Sequence, residues 1–100
     1  MSTTGSPQAS TAIVVHVEGH VQGVGFRAAT LKEARRLNCL GYVCNLENGA
    51  VEVWVQGSQK AVEELLKWLA VGPRLAQVSQ VRVVKNNLPP ASNLSQFEIR

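Results

Sequence analysis

Residue patterning predicts an α+β sandwich with its elements in the order β-α-β-β-α-β, and three observations carry that prediction. Val51, Val53 and Val55 alternate with Glu52, Trp54 and Gln56, the period of a strand with one buried face. Val62, Leu65, Leu66 and Leu69 fall at i, i+3, i+4 and i+7, the apolar stripe of a helix. Asn48-Gly49 stands between two β-type runs, the strongest short-range signal for a hairpin. A chain of 100 residues, 45% of them hydrophobic, supports one domain with a single modest core.

Taken in order, residues 1 to 11 are rich in Ser, Thr, Gly, Pro and Gln, with no basic start and no apolar stretch. They read as a flexible tail ahead of one domain over 12–100, and not as a signal peptide. Ala12 to Glu18 is a strand, Ile13, Val15 and Val17 forming its better-buried face against Val14, His16 and Glu18. A glycine loop follows. Phe26 to Leu37 reads as a helix with Phe26, Thr30, Ala34 and Leu37 inward and Lys32, Arg35 and Arg36 as a solvated face; Glu33 interrupts the stripe. Asn38 is its expected stop, because Asn tolerates the left-handed conformation.

Gly41 to Leu46 is a second strand and Ala50 to Gln56 a third, joined through the Asn-Gly turn. Ser58 is placed to cap the second helix, Trp68 to pack at its rim, and Gly72-Pro73 to end it. Ala76 to Val84 is a fourth strand, with Val81 and Val83 inward. Asn86 to Ser95 is a polar, proline-containing loop, and Gln96 to Arg100 alternates as a short closing strand. The order is the split βαβ, or ferredoxin-like, arrangement: an antiparallel sheet with both helices on one face.

Composition narrows the function classes. The net charge of +3 and the pI near 9.2 suit an anionic ligand but are too mild to mark a nucleic-acid binder. Cys39 and Cys44 make neither a disulfide framework nor a zinc site. No apolar run reaches membrane-spanning length, so a cytoplasmic protein with no membrane or nucleic-acid partner, a monomer, is expected.

The chemistry-bearing stretch is Gly19 to Arg27 (GHVQGVGFR). Its glycines let the backbone take positive φ and turn the N–H groups of Val21, Gln22, Gly23, Val24, Gly25 and Phe26 towards one point. The helix that starts there adds unpaired N–H groups and the positive end of its dipole, and Arg27 adds a fork of donors suited to phosphate oxygens. This describes a phosphate-sized anion cradle. The competing reading is a tight turn with a solvated Arg27. Asn45 interrupts an apolar strand just before the turn; it is either a neutral holder of a water beside the phosphate or ordinary hairpin-end chemistry. His20 reads as solvent-facing and His16 as structural or exposed.

The blocks Val21 to Arg27 (VQGVGFR), Gly41 to Asn45 (GYVCN) and Gly49 to Val53 (GAVEV) resemble the acylphosphatase family. The similarity extends to Trp68-Leu69, Gly72-Pro73, Ala76 to Val78 and the ending Phe97 to Arg100, nearly the whole chain outside the tail. The resemblance implies a ferredoxin-like fold and a metal- and cofactor-independent hydrolase that splits acyl phosphates into a carboxylate and inorganic phosphate. It implies that Arg27 binds the phosphate and Asn45 positions the attacking water, with acyl phosphate as substrate and inorganic phosphate as product or inhibitor. Tyr42 stands where the family more often has Trp, Asn38 where it has Gly, and Asn48 where it has Asp; Cys44 occupies a variable position. Three rivals share the fold, one of them an acylphosphatase-like domain serving a larger assembly, as in the hydrogenase-maturation protein, against which the lack of zinc-finger cysteines favours a free-standing enzyme. An RNA-binding module would display aromatics on its central strands, where only Trp54 stands on the third. A regulatory domain would bind a small ligand without turning it over.

Overall fold

The structure, a computed structural model, describes residues 10–100. Its elements are β1 (Ser10–His20), α1 (Phe26–Arg36), β2 (Leu40–Asn45), β3 (Val51–Ser58), α2 (Gln59–Leu69), β4 (Gln77–Leu88) and β5 (Phe97–Ile99). They build one sheet in the order β4-β1-β3-β2-β5. The first four strands form antiparallel pairs, as expected of a split βαβ fold, but β5 joins β2 in parallel, so the sheet is mixed. The chain must travel from one sheet edge to the other between β4 and β5, and it then runs alongside β2 in the same direction. Pro89 and Pro90 end β4, and the Gln56 carboxamide holds the crossing segment by donating to Ala91 O (3.1 Å) and accepting from Ala91 N (2.7 Å).

The core lies between the sheet and the helices. Ile13, Val15 and Val17 of β1, Val43 of β2, Val51, Val53 and Val55 of β3 and Phe97 of β5 meet Phe26 and Ala34 of α1 and Val62, Leu65 and Leu69 of α2. Thr30, fully buried in α1, satisfies its hydroxyl by donating to Phe26 O at 2.8 Å. The ends of α1 and α2 follow their sequences. Asn38 adopts φ 60°, and Cys39 N and Asn38 N donate to Ala34 O (2.8 Å) and Arg35 O (3.1 Å), a Schellman closure. Ser58 caps α2 by accepting from Ala61 N at 3.1 Å. The β2–β3 hairpin closes with Gly49 at φ 93° after a turn in which Gly49 N donates to Leu46 O, while the Asn48 side chain accepts from Ala50 N.

Several expectations are corrected. Of the expected tail, residues 1 to 9 lie outside the described residues, but Ser10 and Thr11 belong to β1, where they pair with Ser58 and Gly57. His20, expected in the loop, ends β1 opposite Gln77. β4 extends to Leu88, through Asn86 and Asn87, because pairing with β1 uses backbone groups and an edge strand tolerates polar side chains. Val78 and Val81 pack against the core, whereas Val83, expected inward, is 47% exposed on this irregular edge strand. Arg35, expected to be solvated, donates to Phe97 O at 3.1 Å and so ties α1 to β5.

The face of the sheet away from the helices is polar and aromatic. There Glu52 meets His16 Nε2 at 2.9 Å and accepts from the Tyr42 hydroxyl at 3.0 Å, while the Arg100 guanidinium lies 4.5 Å from the centre of the Tyr42 ring. His16 is thus a half-buried partner of Glu52, the structural role open to it in the sequence.

Candidate active site

The turn between β1 and α1, Val21 to Gly25, sits where the strand ends and the first helical amides are still unpaired. Gly23 and Gly25 both lie in the left-handed region (φ 76° and 78°), and a Cβ built on either would meet nothing within 4 Å. Glycine is therefore required here by backbone conformation, not by crowding. Gly25 is the residue that opens α1, and no side chain caps the helix. The first helical bond is Ala29 N to Gly25 O at 3.0 Å, so the amides of Phe26, Arg27 and Ala28 have no partner within the helix. The first turn carries no acidic side chain, which leaves the positive end of the dipole uncompensated.

Two anchors fix this loop from below and from the side. Phe26 is 1% exposed and packs its ring against Trp68, centroids 5.8 Å apart, which sets the start of α1 on α2. Gln22 reaches the β2–β3 turn, where its Nε2 donates to Leu46 O (2.8 Å) and Ala50 O (2.9 Å). That strap joins the glycine loop to the segment that follows Asn45. Sequence reasoning credited Gln22 with its backbone N–H alone; nothing in a linear pattern reveals a bond that spans 24 residues to Leu46 O.

The result is a cavity of about 210 Å³ lined by Val21, Gly23, Gly25, Phe26, Arg27, Ala28, Asn45 and Ile99. Arg27 and Asn45, on different elements, thus border the same space. Of the loop residues expected at the site, Gln22 and Val24 are not part of the lining: Gln22 faces the hairpin and Val24 packs against the core. Arg27 is exposed and, among the described residues, takes part in no ion pair, so its guanidinium is available to an incoming anion. Ile99 and Ala28 are lining residues that sequence reasoning did not single out.

Cys44 precedes Asn45, and strand alternation turns its side chain to the opposite face of β2. Burial first, then the Glu52 carboxylate, push its thiol pKa up, against Arg100 and Arg27. Cys39 and Cys44 are both free thiols. Among the described residues, no group of three or more His, Cys, Asp or Glu side chains converges as metal ligands would, and no helix is long and apolar enough to cross a membrane.

Comparison with known proteins agrees with this geometry. The acylphosphatase family model matches residues 13–99. An acylphosphatase of Burkholderia lata is 51% identical over 67 residues, which cover 67% of this chain and 68% of that one. The structure of an acylphosphatase from Coxiella burnetii superposes with a TM-score of 0.81 at 37% identity, covering 91% of this chain and 93% of that one. The acylphosphatase of Bacillus subtilis gives 0.83 at 26% identity, covering 92% and 99%. A family model that matches residues 13–99 and relatives that share its overall fold show that the chain belongs to the acylphosphatase family.

Proposed function

We propose that the chain hydrolyses the carboxyl–phosphate bond of acyl phosphates, with the phosphoryl group held in the 21–27 loop by Arg27 and Asn45 positioning the attacking water. The observation that carries this reading is that the unpaired amide end of α1, Arg27 and Asn45 border one cavity. The amides of residues 26 to 28, with others of the loop, donate to the phosphoryl oxygens, and the Arg27 fork pairs with two of them. The same donors stabilise the charge spread over the equatorial oxygens as the bond to the carboxylate lengthens.

Asn45 accepts from or donates to the water without adding charge, which keeps it compatible with a dianionic substrate where a carboxylate would repel it. The water oxygen bonds to phosphorus as the phosphorus–carboxylate bond breaks. One water proton passes to a phosphoryl oxygen, so carboxylate and dihydrogen phosphate leave with the charge balanced. A carboxylate is a good leaving group and needs no protonation. Positioning and electrostatics then account for the rate.

Turnover of a simple aromatic acyl phosphate by the wild type, Arg27→Ala and Asn45→Ala tests the assignment. Arg27→Ala is expected to lose about 10³-fold in kcat/KM together with inhibition by inorganic phosphate. Asn45→Ala is expected to lose kcat on a similar scale while phosphate still inhibits. Full turnover by Asn45→Ala contradicts the water-holding role.

A further inference from the structure

The cavity has two kinds of wall. The glycine amides, Arg27 and Asn45 are polar donors, whereas Val21, Phe26, Ala28 and Ile99 are apolar. Val21 and Phe26 are each 1% exposed and belong to the core, but Ile99 is 41% exposed, at the mouth. Of the exposed large aliphatic side chains among the described residues, Val71, Leu75, Val83, Val84 and Ile99, Ile99 is the one that lines this cavity, while Phe97, 0% exposed, anchors β5 in the core.

Register explains where Ile99 stands. β5 runs parallel to β2, with Phe97 beside Gly41 and Ile99 beside Val43, and Arg100 N donating to Val43 O at 2.9 Å. Alternation puts Phe97 and Ile99 on the helix face together with Val43 and, two residues further along β2, Asn45. Arg35, in the last turn of α1, donates to Phe97 O. Ile99 lies two residues, roughly 6.6 Å, beyond Phe97. Ala28 lies seven residues, about 10.5 Å along the helix, before Arg35. Strand and helix therefore bring Ile99 and Ala28 to the same rim, next to the water-side Asn45.

Resting on the acyl-phosphate reading above, we propose that Ile99 is a specificity-determining residue, the apolar wall against which the acyl group of the substrate packs once its phosphate is seated. Phosphate bound in the loop leaves the acyl group only the cavity mouth to occupy, and that mouth is bordered by Ile99 and Ala28. The substrate class favoured is an acyl phosphate with an apolar aryl or alkyl acyl group, because such a group removes the exposed part of Ile99 from water when it binds.

The test is steady-state kinetics with benzoyl phosphate and acetyl phosphate, read as the ratio of their kcat/KM values, which cancels differences in folded fraction. Ile99→Ala should lower the benzoyl-to-acetyl ratio about fivefold, within the range expected for losing part of a hydrophobic contact. Ile99→Leu should keep it within about twofold. Ile99→Thr, which preserves β-branching, should give the same fall as Ile99→Ala and is the variant to read if the shorter side chain loosens β5. An unchanged ratio in Ile99→Ala and Ile99→Thr overturns the specificity role while leaving hydrolysis intact. Failure of the wild type to turn over either substrate overturns the hydrolase reading itself, and the role of Ile99 with it.

Discussion

The two helices are entered in opposite ways. α2 begins after Ser58, an extended residue (φ −63°, ψ 154°) whose hydroxyl accepts from Ala61 N. α1 begins after Gly25, in the left-handed region (φ 78°, ψ 18°), with no side chain on its first amides. Neither helix has an acidic residue in its first turn. Because β1 and β3 are antiparallel, these two strand-to-helix transitions lie at opposite ends of the sheet. The capped end satisfies one of its first amides, Ala61 N, through the Ser58 hydroxyl. The uncapped end keeps its donors, places Arg27 among them, and is held rigid by contacts behind it: Phe26 on Trp68 and Gln22 on the hairpin. An uncapped start weakens a helix on its own, and α1 also buries a poorer stripe, Phe26, Thr30 and Ala34 against Val62, Leu65 and Leu69 of α2. Its stability comes from its neighbours, and its open end is where the proposed function seats the phosphate.

The comparison breaks most readily at Gln22. Gln22→Ala removes both bonds from the glycine loop to Leu46 O and Ala50 O. Loop and Asn45 lose their shared frame, and kcat/KM is expected to fall about tenfold, roughly 1.4 kcal/mol, in a protein whose fold is retained by circular dichroism. Unchanged kinetics would show that the loop holds its geometry without the strap.

At the other helix the signs reverse. Ser58→Ala removes the cap from α2 and should cost about 1 kcal/mol of stability, some 4–8 °C in Tm for a domain of this size. Its kcat/KM at 25 °C should stay that of the wild type, since Ser58 touches nothing in the cavity. A loss of activity from this variant in its folded state would erase the functional distinction between the two helix starts.

The smallest effect concerns the far end of α1, where Cys39 closes the Schellman turn. Burial raises its thiol pKa from 9.0 to about 11. The folded protein therefore favours the neutral thiol, and the associated stability is fully present below about pH 9 and is lost as pH rises through about 11. Tyr42, raised to about 12 by burial and then by Glu52, adds a decline in the same direction from pH 10 upward. Tm followed from pH 8 to 11.5 should fall for the wild type and fall less steeply for Cys39→Ala. Identical slopes would exclude the thiol as the titrating group.

What the sequence discloses follows what each feature depends on. Alternation in β3, the stripe of α2, the Ser58 cap and the Asn38 stop are local, and the residues alone predict them. Local signals place the glycine loop and the hairpin but leave Arg27 and Asn45 each with a bland alternative; that the two border one cavity is expected only through the family resemblance. The parallel β5, the Arg35 bond to Phe97 O, the Glu52 partnership with His16 and the Gln22 strap depend on which strands become neighbours, information that no short window contains. The end of β4 is hidden for a related reason: Asn86 and Asn87 look like loop residues, and the strand continues past them because Leu88 pairs with Ala12 of β1 across a register shift.

A titration of the ¹⁵N-labelled protein with inorganic phosphate, followed amide by amide, probes the contrast between the two helix starts most directly. The amides of residues 23 to 28 and the Asn45 side-chain amide should shift in a saturable manner, while those of residues 59 to 61 at the capped helix stay in place. Saturable shifts centred on residues 59 to 61, or none at residues 23 to 28, would contradict the assignment of the open end of α1 as the phosphate site.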